Sequence, residues 1–200
     1  MAMDDTPQSS LYRHIRSGDL AGVCEALDAG ALPTAMGPMH MTAPMLAAQH
    51  GRAAILSLLL LRIPENSLPS HCNAALLGAA LGGRPDIIST LTCLGADPNA
   101  RDGHGRTPLH YAAMAMPTSA GANHAGAVKA LLACGARTDI ADNFGMTPAA
   151  IALQFGEMMK HNDIPAILSA HGSHAKSILE KSDTRCYPGS IILTPRPVLP

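Results

Sequence analysis

A chain of 200 residues, 47% of them hydrophobic, is long and apolar enough for one domain with a core, which argues against disorder throughout. Only 2% of the residues are aromatic and none is tryptophan, which argues against stacking platforms for single-stranded nucleic acid and leaves the packing to small aliphatic side chains. A formal net charge of -1 offers no footprint for a phosphate backbone or an anionic membrane, so neither nucleic acid nor membrane is an expected partner.

In chain order, residues 1–9 form an N-terminal extension with acids at Asp4 and Asp5, where a signal peptide needs bases, and no apolar stretch follows. Cytoplasmic localisation is expected, with non-classical secretion left open. The cysteines at 24, 72, 93, 134 and 186 are odd in number and form no C-x-x-C pair, which fits a reducing compartment. The most apolar run, residues 53–61, is about half of the ~20 residues that a membrane helix needs and is predicted to be a buried helix.

Laid against itself, the chain shows a repeat. Turn residues fall at Gly18, Gly51, Gly83, Asn123 and Gly156, at intervals of 33, 32, 40 and 33. A second landmark follows at Gly30-Ala31, Ile63-Pro64, Gly95-Ala96 and Gly135-Ala136, with Gly172 coming late in the fifth unit. Between the landmarks apolar residues recur with helical spacing: Val23, Ala26 and Leu27; Leu56, Leu59 and Leu60; Ile88 and Leu91; Val128, Leu131 and Leu132. Ahead of the turns, Ala47-Ala48, Ala79-Ala80 and Ala112-Ala113 lack the bulk that would keep a second helix away from its neighbours. Each unit is therefore predicted to be a helix pair that buries its apolar face only by stacking on adjacent pairs.

The most specific segment is Gly105-Arg-Thr107-Pro-Leu-His110-Tyr-Ala-Ala113. It resembles the ankyrin repeat. Thr107 suits a helix cap, Pro108 the first helical position, and Leu109 the core. Thr147 and Pro148 repeat the cap and proline but are followed by Ala149-Ala150, and Thr42 keeps only the threonine and the alanines. The resemblance implies an all-α solenoid of about five helix-turn-helix repeats joined by finger-like β-turns or hairpins. His110 is then a hydrogen-bonded structural histidine, and the inner face is formed by first helices and fingers. The repeats are expected at 10–41, 42–73, 74–106, 107–146 with a surface-loop insertion over 116–122, and 147–172. Fingers are expected at 31–41, 64–73, 96–106 and 136–146. The second lacks the glycine that a left-handed helix end prefers, and local distortion is expected there. Residues 173–200 would form a short capping helix and an extended tail.

Chemistry is scarce. Gly103-His-Gly105-Arg-Thr-Pro begins like a dinucleotide-binding loop, but Pro108 takes the third glycine's place. Asp97 to Gly103 begins like a calcium loop with Asp102 one position late. Ten histidines form no H-x-x-x-H pair. No catalytic residue, cofactor or metal is expected, and a protein partner is the first reading.

Two groups of contact candidates stand out. Met36, Met39, His40, Met41 and Met45 cluster at the first finger, where flexible methionines would mould to an apolar partner or pack against each other beneath the finger. Arg101, Asp102, His104, Arg106, Asn143 and Phe144 mark the third and fourth finger tips, which suit either contact or solvated turns. The sparsely charged second and third repeats suit a homodimer face equally well. The primary expectation is a non-catalytic adaptor or scaffold. The alternatives are a bacterial effector that binds a host protein, a small enzyme in the tail, and a regulator whose residues 191–200 lie across the inner face.

Overall fold

The computed structural model describes residues 6–37, 40–114, 122–156 and 163–171. The expected tail at 173–200, Met39 and all but Ala122 of the expected insertion lie outside the described residues.

Local chemistry sets each helix boundary. In α1 (Pro7–Ser17), Thr6 accepts the Ser9 amide at its N-cap, and Gly18, at φ 82°, closes the far end through the His14 and Ile15 carbonyls. Asp19 then caps α2 (Leu20–Asp28) by accepting the Gly22 amide. The same pairing recurs in α3 (Ala43–Gln49) with α4 (Ala53–Leu61), α5 (Leu68–Leu81) with α6 (Pro85–Cys93), and α7 (Pro108–Met114) with α8 (His124–Ala133). It ends with α9 (Pro148–Gly156) and a helix over 164–171, here α10. Among the described residues there is no strand, only an isolated antiparallel bridge between Met36 and Thr42.

The first helices stack in one row, α1 on α3, α3 on α5, α5 on α7 and α7 on α9, with second helices behind them. Ala47, Ala48, Ala79, Ala80, Ala112 and Ala113 are all fully buried in that row. Gly78 and Gly82 let α5 approach still closer, since a Cβ on either would run into the Met45 or Gln49 carbonyl of α3. Larger side chains fill the space between the rows: Leu59, Leu76, Ile88, Leu91, Leu109 and Leu131 are fully buried. Each contributes about 1.5–3 kcal/mol of hydrophobic stabilisation. Polar links register the pairs: the Arg52 guanidinium donates to the Arg16 and Ser17 carbonyls, Arg84 Nε to the Gln49 carbonyl, and the Asn123 amide to the Gly83 carbonyl.

Two sequence expectations are corrected. The second finger is absent, because residues 64–67 make a short turn and α5 begins at Leu68, giving a helix of 14 residues where α3 and α7 have 7. The cause lies at the exit of α4. Gly30, Gly95 and Gly135 follow their C-cap residues at φ 97°, 92° and 88°, whereas Ile63, in the same place after the C-cap Arg62, does not take a positive φ and does not turn the chain outward. Asn123 is not the turn residue that its alignment with Gly18, Gly51 and Gly83 predicts, but the helix cap that follows such a turn. It sits at φ -124° and caps α8 by accepting the Gly126 amide. Thr42 precedes the N-cap Arg52 by ten residues and Thr107 precedes Asn123 by sixteen. Six of the seven extra residues of this repeat therefore lie before Asn123, and the seventh lengthens α8 to 10 residues, against 9 in α6.

Candidate protein-binding face

The third and fourth fingers are built alike from an aspartate and a glycine three residues on. Asp102 Oδ1 accepts the amides of His104 and Arg106 at 2.9 and 2.8 Å, and Asp142 Oδ1 accepts those of Phe144 and Met146, both at 2.9 Å. Gly105 and Gly145 close the turns at φ 74° and 78°, a region that favours glycine. In the first finger the same register holds His40 at φ 56°, and Gly37 donates to the Met41 carbonyl as Asp102 does to Arg106.

Fingers three and four are fastened together side by side. Arg101 Nη2 donates to the Ala141 carbonyl at 2.8 Å, the Asn143 amide to the His104 carbonyl at 2.9 Å, and Asn143 Nδ2 to the Gly103 carbonyl at 3.2 Å. At their bases Asn99 accepts the Arg137 amide and donates to the Gly135 carbonyl. The tips are thus held in one arrangement before any partner arrives.

Beneath them lies a buried polar network. The His110 ring is fully buried between the Thr107 amide and hydroxyl at Nδ1 and the Met146 carbonyl at Nε2. Burial lowers its pKa. Tyr111 Oη donates to Asp102 Oδ2 at 2.6 Å, and burial with that bond pushes the phenol up to about 12. Burial alone would raise the Asp102 and Asp142 carboxyls. The Tyr111 hydroxyl and the Arg106 amide outweigh it at Asp102, as the amides of Met146 and Phe144 do at Asp142, and both carboxyls stay below the ordinary range. The Arg106 guanidinium lies 3.6 Å from Asp142 Oδ2, close enough to balance its charge. Without an imidazole at position 150, Thr147 caps its helix directly by accepting the Ala150 amide.

Between the fourth finger and the first helices α7 and α9 opens a hollow of about 340 Å³, lined by Arg106, Met114, Asp142, Phe144, Met146, Ile151 and Gln154. Phe144 is 72% exposed on its rim. Of the finger-tip candidates, only His104 and Phe144 present side chains that are both exposed and outside these hydrogen bonds; Arg101, Asp102 and Asn143 are spent on the turns, and Arg106 faces Asp142. Met114, Met146, Ile151 and Gln154 carry no shared signal in the sequence, because their convergence needs the stacking of two repeats.

The expected methionine cluster is divided. Met36 is 62% exposed and His40 is exposed, but Met41 is only 6% exposed and Met45 is half-buried against the core. The cause is register: Met41 occupies the finger position of Met146, directly before the helix-starting threonine, which faces inward. Among the described residues, no group of three or more His, Cys, Asp or Glu side chains is placed to hold a metal, and no helix is long and apolar enough to cross a membrane.

A family model described as ankyrin repeats, three copies, matches residues 76–179, just over half of the chain. The chain belongs to the ankyrin repeat family. Its helix pairs, fingers and buried His110 are the structural form of that membership, and ankyrin repeats are protein-interaction modules. The chain is also 40% identical over 98 residues to the ADP-ribosylation factor GTPase-activating protein AGD4 of Arabidopsis thaliana, covering 48% of this chain and 12% of that protein. It is 41% identical over 78 residues to AGD2 of the same organism, a protein with the same descriptive name, covering 39% of this chain and 9% of that one. The chain thus spans about a tenth of the length of these relatives.

Proposed function

We propose that this ankyrin repeat chain is a non-catalytic binding module, an adaptor or scaffold, whose contact face is the fourth finger and the hollow beside it. The observation that carries the reading is Phe144, 72% exposed on a tip held by hydrogen bonds, at the rim of a hollow lined by Met114, Met146 and Ile151. An aromatic side chain on a backbone fixed beside an apolar cavity has only two side-chain torsions to lose on contact, and burying it contributes about 1.5–3 kcal/mol, or roughly tenfold to a hundredfold in affinity. Met36, on the exposed part of the first finger, extends the face. The GTPase activation in the relatives' names is not part of the reading, because the likeness covers about a tenth of each relative. Affinity capture from native lysate tests the proposal. A partner retained by the wild-type chain and lost by Phe144→Ser at unchanged helicity supports it; equal retention by both counts against it.

A further inference from the structure

The charges around the fourth-finger hollow are sorted by depth, with acids behind and guanidinium groups in front. The Asp142 side chain is only 2% exposed, and its Oδ1 is taken by the Phe144 and Met146 amides. Asp102 has both oxygens committed, Oδ1 to the amides of His104 and Arg106 and Oδ2 to the Tyr111 hydroxyl. Arg106, by contrast, lines the hollow with a side chain 29% exposed. Its Nε stands 3.6 Å from Asp142 Oδ2, beyond hydrogen-bond range, and that buried nitrogen has no hydrogen-bond partner among the described residues. Beside it the exposed Arg101 spends its bonds on the carbonyls of Gly105 and Ala141, which are neutral and leave its charge in place. A guanidinium presents five donors in a planar fork that matches a carboxylate. Next to this fork the floor is apolar, formed by Met114, Met146 and Ile151, with Phe144 on the rim. A charge-assisted bond made against such a wall is stronger than one made in open water. At about 340 Å³ the hollow lies at the small end of the ~300–1,000 Å³ of ligand clefts, which suits the side chains of one short segment.

We propose that the hollow reads a short partner segment in which an aliphatic side chain stands beside an aspartate or glutamate. The aliphatic group fills the floor against Phe144, and the carboxylate takes the Arg106 fork. The inference rests on the proposed contact face and names the partner chemistry that this face selects. A basic segment is rejected, because its cation would meet Arg106 and Arg101. Selection of a random peptide library, displayed on phage, against the immobilised full chain tests this. The expected peptides carry Asp or Glu within two positions of Leu, Ile, Val or Met. Changing that acid to Asn or Gln in the synthetic peptide should weaken binding to the wild-type chain by about tenfold or more. The same change should cost less than about twofold against Arg106→Gln, shown by circular dichroism to be equally helical, or against Arg106→Met where Arg106→Gln is not. Selected peptides without an acid, an acid whose loss costs as much on the Arg106 variant as on wild type, or no enriched peptide at all overturn the proposal. Acid-free peptides that are lost on Phe144→Ser leave the contact face standing. Peptides held equally by Phe144→Ser and wild type overturn the contact face, and the inference with it.

Discussion

His110 Nε2 lies 3.0 Å from the carbonyl oxygen of Met146, a bond that ties the first turn of α7 to the base of the fourth finger, 36 residues on. The proton position follows from the other side of the ring. The Thr107 amide can only donate, so Nδ1 is the acceptor and Nε2 carries the hydrogen that reaches Met146. Met146 lines the hollow, so this bond sets part of the floor of the proposed contact face.

Protonating the ring would break the Thr107 bond, and burial already holds the His110 pKa below its ordinary 6.5. The folded chain therefore binds this proton more weakly than the unfolded chain does. The associated stability is complete above about pH 6.5 and is lost as the pH falls through that value toward the lower folded one. His50, lowered by burial and by Arg16, Arg52 and Arg84, contributes with the same sign. Urea unfolding of wild-type protein at pH 7.5 and 5.5 should show the loss. His110→Gln should be less stable by about 2 kcal/mol at pH 7.5 and show a shallower slope, with His50 keeping it above zero.

Met41 and Phe144 should part company. Met41→Ala removes a buried side chain and is expected to cost about 2–4 kcal/mol in thermal or urea unfolding. Phe144→Ser removes an exposed one and should change stability by less than about 0.5 kcal/mol. A reversed order would show that the first-finger register is wrong.

His40 holds a left-handed backbone at φ 56° in the register where Gly105 and Gly145 serve the other fingers. His40→Gly is expected to raise stability, by up to about 1 kcal/mol, because relief of the Cβ strain exceeds the added unfolded-state entropy. A drop in the urea midpoint would contradict this.

Gly82 is the opposite case. Its φ of -83° is open to any residue, yet a Cβ there meets the Gln49 carbonyl, which is backbone and cannot swing aside. Gly82→Ala should lose about 2 kcal/mol or more despite the higher helix propensity of alanine, as read by chemical denaturation.

Spacing made the helix pairs legible, because the glycines that end them and the alanine pairs that let them approach act locally. The missing second finger was half legible. The absent glycine at residues 62 and 63 marked the distortion, but nothing local said that Leu68 to Asn73 would continue as helix. Phe144 was visible as an aromatic among turn residues. The hollow was not, since Met114, Met146 and Ile151 lie on three elements that only stacking brings together. The methionines misled because composition ignores facing: Met36 and Met41 flank one turn, yet one points outward and the other toward the core.

The most direct test of the central claim is quantitative capture from native lysate on immobilised wild-type, Phe144→Ser and Met36→Ser chains, each first shown to be equally helical and equally stable. The account predicts a partner that is held by wild type, reduced about tenfold or more by Phe144→Ser, and reduced less by Met36→Ser. A partner retained in full by Phe144→Ser would contradict it and move the contact face away from the fourth finger.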